Sequence, residues 1–191
     1  MGSKGLATRE RIMEAAKELF AKNGFCAVTM QDVCRSAGLS RGGLYRHFSS
    51  TEEIFSAIIE QEQQRAMEAL ERARSLHVSP KRMTVTFLRY RLQALLNERT
   101  GIDAATSEFC ANSEQGRALL CRRAETGIRI LSGMIRDGIA AGDFSCSDPD
   151  STAMHILCLL EGLGKHNGLM PIDAATAERQ LEQLMQLLGC A

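Results

Sequence analysis

The sequence predicts an all-α chain of about nine helices: three short ones forming a head, then six forming a bundle. Three observations predict it. Apolar residues recur at the three-to-four-residue spacing of a helix almost throughout, and no clear run of alternating strand residues interrupts them. Three prolines and no tryptophan in 191 residues leave long stretches free to be helical. Capping residues and glycines fall between the apolar stripes, where helix ends belong. The 45% apolar fraction excludes a disordered chain, and the length suffices for a core without disulfide or metal staples.

The elements follow in order. Ile12, Ala16, Leu19 and Phe20 stripe a first helix over about Thr8 to Lys22, ended by Asn23-Gly24. Thr29 caps a short second helix, with Asp32 three residues on as a near capping box, and Gly38 stops it. Ser40 caps a third short helix through His47. Ser50 and Glu53 form a capping box for a fourth, reaching about Arg74. Ser79-Pro80 opens a helix to about Asn97, which Thr100-Gly101 breaks. A short helix covers Ile102–Ala111. Ser113-Glu114 starts a long one to Ala141, stopped by Gly142. Asp148 and Pro149 cap the eighth, ending near Gly168, and Asp173 opens the last, to about Leu188.

The formal net charge is zero, but it is unevenly spread. Residues 1–50 carry eight basic and four acidic side chains, and the remainder carries fifteen and nineteen. A basic head on an acidic body calls for an anionic partner at the head. Seven cysteines, an odd number with no C-x-x-C pair, argue against a disulfide framework or a zinc ribbon. With no secretory signal and no apolar run long enough to span a bilayer, the expected setting is reducing and cytoplasmic, with no membrane partner. No metal site is expected: His155 and His166 lie eleven residues apart, roughly 16 Å along one helix.

The segment Met30–Phe48 reads MQDVCRSAGLSRGGLYRHF. Val33, Ala37, Leu39 and Leu44 are apolar where two crossed helices must bury residues against each other. Gly38 sits in the turn, and Cys34 occupies a position that takes only a small side chain. This is helix-turn-helix spacing. Gly42 and Gly43 each cost a helix about 1 kcal/mol against alanine. A helix that carries that cost needs its backbone close to something, and a DNA groove supplies the reason; tight packing on the first helix is the alternative.

Thr8–Phe25 (TRERIMEAAKELFAKNGF), Val28–Val33 (VTMQDV) and Ala37–Phe48 (AGLSRGGLYRHF) together closely resemble the N-terminal domain of TetR-family transcriptional regulators. The match covers roughly residues 6–60. Ile135–Phe144 (IRDGIAAGDF) resembles the segment that often ends the seventh helix there. The resemblance implies a helix-turn-helix DNA-binding domain over 1–50 and a ligand-binding and dimerisation domain over 51–191, connected by helix 51–74. Thr29 and Gln31 would then contact phosphate at the start of the second helix. Ser40, Arg41, Gly42 and Gly43 would lead the third toward bases, with Arg41 able to bridge guanine O6 and N7. Tyr45 and His47 would meet phosphates, Arg46 either target, and Lys4 and Arg9 the flanking backbone. Relatives often carry a phosphate-holding lysine where this chain has Thr51, which would lower the salt slope by about one counterion per subunit.

One helix-turn-helix reads few bases, and a homodimer reads two half-sites about 34 Å apart. Ile156, Leu160 and Leu163 on helix eight, with Leu181, Leu184 and Leu188 on helix nine, are the expected dimer interface. The resemblance also implies a small-molecule effector inside the bundle and no cofactor. Met67, Phe87, Tyr90, Arg91, Phe109, Cys110, Cys121, Glu125 and Met154 are candidates to line its pocket, and Cys110 and Cys121 for redox sensing. No catalytic motif is present: Glu161, Lys165 and His166 form the one polar cluster in the body that suggests catalysis, and Glu161 and Lys165, four apart, can pair as an ordinary helix salt bridge. The expected function is therefore a ligand-responsive repressor that binds a palindromic double-stranded DNA operator as a dimer. A helical carrier or protein-interaction bundle whose head no longer binds DNA is the alternative.

Overall fold

The computed structural model describes residues 3–96, 101–166 and 172–189. Nine helices lie among them: α1 (Ser3–Asn23), α2 (Met30–Ser36), α3 (Arg41–Tyr45), α4 (Thr51–Ser75), α5 (Pro80–Leu96), α6 (Gly101–Asn112), α7 (Glu114–Ala140), α8 (Pro149–His166) and α9 (Ala174–Leu187). The expected all-α class holds, and the boundaries move where local bonds decide. Helix α1 starts about a turn before Thr8, and the Thr8 hydroxyl donates back to the Lys4 carbonyl at 2.9 Å from inside the helix. Helix α3 stops at Tyr45 instead of reaching His47, and Arg46 caps it. Gly101 begins α6, so the expected break falls between α5 and α6, with Thr100 outside the described residues. The expected ends at Asn97 and Gly168 lie outside the described residues.

The caps are where the sequence places them. The Thr29 side chain accepts from the Asp32 amide while Asp32 accepts from the Thr29 amide, closing the box. At α4 the box is offset by one residue. The Ser50 hydroxyl accepts from the Glu53 amide at 3.2 Å, but Glu53 reaches past it to the Ser49 amide and hydroxyl, at 2.6 and 2.7 Å. Asp148 and Asp173 cap α8 and α9 by accepting from the amides of Ser151 and Thr176.

The chain divides into two packing units. One comprises residues 1–68 and 100–121, the other 69–99 and 122–191. The division falls within α4 and α7. The first unit buries Phe20, Phe25, Phe55 and Phe109 together with Ile12, Ala16, Val33, Leu44, Phe48 and Ile54. Neighbouring rings sit 4.7–5.6 Å apart, mostly edge-on or tilted. Helix α6 contributes Ala105 and Phe109 to this core, so α1 rests on it. The second unit is aliphatic: Leu88 and Leu92 of α5, Leu131 and Ile135 of α7, Ile156 and Leu160 of α8, and Leu181 and Leu184 of α9 interleave. No helix among the described residues is long and apolar enough to cross a membrane.

Candidate nucleic-acid interface

Two short helices cannot hold themselves, so the core of the first unit holds them. Val33 and Leu44 are fully buried, and Ala37 nearly so. Gly38 turns the chain at φ +63°, where a β-carbon would be strained. The Leu39 amide donates to the Cys34 carbonyl across that turn at 3.0 Å. Cys34 is buried, as a small side chain in this position should be. Ser40 then accepts from the Gly43 amide at 3.2 Å and opens α3.

With Leu44 anchored inward, α3 turns Arg41, Gly42, Tyr45 and Arg46 to solvent, and the Tyr45 side chain is 52% exposed. Thr29, Gln31 and Ser40 are exposed as well, while Gly43, His47 and Thr51 are half-buried. All ten residues expected at the interface therefore lie on or next to the surface of one short stretch of chain. The Nδ1 atom of His47 is buried without a hydrogen-bond partner among the described residues. Arg9 lies over the Phe48 ring at 4.8 Å and stays beside the end of α3.

The electrostatics favour an anion. Hydrogen bonds from the Thr29 hydroxyl and amide hold the Asp32 carboxyl below its ordinary value, and those from the Ser49 amide and hydroxyl do the same for Glu53. Both acids thus serve caps, and Asp32 lies 3.7 Å from Arg35 as well. Among the described residues neither Arg41 nor Arg46 takes part in an ion pair. Two unpaired guanidinium groups on one exposed helix face are what a phosphate-lined groove attracts.

The residues expected around an effector are not gathered in one described cavity. Phe109 is 1% exposed and belongs to the ring cluster with Phe25 and Phe55. Met67 and Cys110 are half-buried in the first unit, and Cys121 is exposed there. In the second unit Phe87 and Arg91 are half-buried, whereas Tyr90, Glu125 and Met154 are exposed. Two open grooves are lined by other residues, one from Ser145 to Asp148 with His155, the other by Glu10, Arg11, Glu14 and Arg65. Cys110 and Cys121 are not bonded to each other, and no cluster of three metal-ligating side chains occurs among the described residues.

The leucines expected at a dimer interface are spent inside the chain. Ile156, Leu160, Leu181, Leu184 and Leu188 are all at most 5% exposed in a single copy, and Leu163 is half-buried against them. The same helices expose other apolar side chains: Met154 and Leu159 on α8 and Leu187 on α9.

Sequence reasoning missed Glu108. Its carboxylate accepts from the Cys26 amide at 3.0 Å, and it fills the space beside Gly24, whose φ is +81°. Asn112, one turn on, reaches the Cys26 sulfur. Helix α6 thereby grips the turn between α1 and α2. No local pattern could reveal a bond between residues 82 positions apart.

Comparison with known proteins agrees with this geometry. Residues 12–58 match the family model for bacterial regulatory proteins, tetR family. Over 166 residues the chain is 32% identical to the HTH-type transcriptional regulator UidR of Escherichia coli K12, covering 84% of this chain and 80% of that one. It is 31% identical over 144 residues to an uncharacterized HTH-type transcriptional regulator, YfiR, of Bacillus subtilis, covering 74% and 70%. Among solved structures, Salmonella enterica GusR superposes with a TM-score of 0.73 at 26% identity, covering 97% of each chain. The reduced form of E. coli NemR reaches 0.80 at 18% identity over 95% of this chain and 97% of that one, a likeness of fold.

Proposed function

Because the chain belongs to the TetR family of bacterial regulatory proteins and is a DNA-binding transcriptional regulator rather than an enzyme, we propose that it works as a cytoplasmic homodimer, a ligand-responsive repressor whose two heads read a palindromic operator. The observation that carries this reading is the exposed face of α3, where Arg41, Gly42, Tyr45 and Arg46 stand clear of a helix anchored by Leu44. Arg41 reads a guanine edge. Tyr45, His47, Thr29, Gln31 and Thr51 fix the register on phosphates, and Arg46 serves either target. The dimer forms through the exposed side of α8 and α9, including Met154, Leu159 and Leu187, and not through their buried leucines. This keeps the expected pair of helices and changes the residues.

The effector reading is narrower than the sequence suggested. Phe87 and Arg91, one turn apart on α5 and half-buried, are the best placed of the candidates within the second unit. A molecule held there acts only if it binds the form released from DNA better than the bound form. Helix α4 starts next to the reading helix and runs on into the second unit, so it is the route from ligand to head.

Fluorescence anisotropy on duplexes enriched from a random pool, across a salt series, tests the reading. Arg41→Ala should weaken the enriched sequence about 5- to 150-fold and leave random duplex almost unchanged, since a bidentate base contact is worth about 1–3 kcal/mol. Tyr45→Phe should weaken both alike. Equal loss on both duplexes for Arg41→Ala would refute its base-reading role.

A further inference from the structure

One arginine near the start of the chain is held where the reading helix gives way to α4. The Arg9 guanidinium lies over the Phe48 ring at 4.8 Å, and its Nη1 donates to the Met13 sulfur at 3.2 Å, one turn along α1. Phe48 and Met13 are buried and Arg9 itself is half-buried, so the guanidinium packs on a closed apolar surface. Among the described residues no other cation lies over a ring. The same charge reaches Glu53. That carboxylate accepts from the Ser49 amide and hydroxyl at 2.6 and 2.7 Å, and these bonds first, with the Arg9 charge adding to them, hold it below its ordinary value.

The contacts span α1, the turn at residues 48–50 and the first turn of α4. In that turn the Ser49 amide takes a side chain as its partner and no carbonyl. His47 comes immediately before the turn and Thr51 immediately after it. The resemblance would set Arg9 on the flanking DNA backbone, but its side chain is engaged on Phe48 and Met13. We infer that Arg9 is a positioning residue: through Phe48 and Glu53 it fixes the turn between α3 and α4, so that His47 and Thr51 meet phosphates in register, and it does not itself touch the duplex. The inference rests on the reading of those two side chains as phosphate contacts. Lysine cannot take this place, because its ammonium is compact, strongly hydrated and has no flat face to lay on a ring. A residue that only held a phosphate would accept lysine as a point charge.

Arg9→Lys and Arg9→Met separate the two roles. In the free protein the amide resonances of residues 48–51 should move in Arg9→Lys, whereas a side chain waiting in solvent for DNA would leave them in place. Anisotropy on the duplex enriched by wild type is then measured across a salt series, well below each melting temperature so that every variant is folded. Arg9→Lys should lose about tenfold at every salt concentration, the worth of one hydrogen bond to a charged group, with the salt slope of wild type. Arg9→Met should lose a similar factor with a slope within about half a unit of wild type per subunit, since loss of a phosphate-held cation would flatten it by about 0.9. Should Arg9→Met fail to fold, Arg9→Lys carries the test alone. Full affinity in Arg9→Lys, unmoved amides, or a slope flattened by about one per subunit in Arg9→Met would each overturn the inference and leave the regulator reading standing. A wild type that enriches no sequence would overturn the reading and the inference together.

Discussion

In the packing unit that carries the reading helix, four phenylalanines from α1, the turn after it, α4 and α6 meet ring to ring. In the other unit leucines and isoleucines from α5, α7, α8 and α9 interleave, and Phe144 supplies the one buried ring among the described residues. Rings meeting edge-on at about 5 Å prefer particular angles, while aliphatic side chains repack at small cost. The contrast teaches where geometry is fixed. A head that must match base edges is built on directional contacts, and a body expected to answer a ligand is built on contacts that can be exchanged.

The largest expected effect breaks that contrast at its centre. Phe109→Ala removes a fully buried ring in contact with Phe25 and Phe55 and should cost about 3–5 kcal/mol in denaturant unfolding, with DNA binding lost alongside. If Phe109 lined an effector site instead, the variant would keep its stability and lose only its response to ligand. On the body, Leu159→Glu places a charge on the exposed side of α8. It should convert dimer to monomer in sedimentation with the helical content unchanged. Leu160→Ala, one residue on and buried, should instead destabilise the fold by about 2–5 kcal/mol. A monomerising Leu160→Ala with normal stability would reverse the assignment of the two faces.

The next effect separates the units by pH. Glu53 has its folded carboxyl held below the ordinary value by the Ser49 amide and hydroxyl. A depressed folded value adds stability that is present above the unfolded value, about 4.3, and is lost as pH falls through the folded value. Glu53→Gln should therefore weaken the head at neutral pH, with the difference from wild type vanishing in acid. Melting curves from pH 7 to 3 measure it, and a constant difference across that range would show the carboxylate charge to be irrelevant. The smallest effect is Thr51→Lys. It should steepen the dependence of log affinity on log salt by about one per subunit, and an unchanged slope would place residue 51 off the phosphate path.

The head was legible because short helices declare themselves through chemistry at fixed positions. Thr29 with Asp32, Gly38 and Ser40 each announce a cap or a turn, and the structure places all of them there. The body was legible only as period. The stripe of Leu181, Leu184 and Leu188 fits a partner's helix and the chain's own core equally well, and burial alone chose the core. Glu53 shows the same limit on a smaller scale: its spacing promised Ser50, but the carboxylate continued to Ser49. Glu108 lay beyond any local pattern.

The grip of residue 108 on residue 26 bears on how such heads can be exchanged. A gene spliced after residue 60 would carry the reading helix but leave Phe25 and Phe55 without Phe109, and the Cys26 amide without its carboxylate. A chimera that borrows this head must import residues 101–121 with it. During synthesis the head cannot finish assembling until α6, encoded forty residues or so downstream of α4's first turns, has left the ribosome.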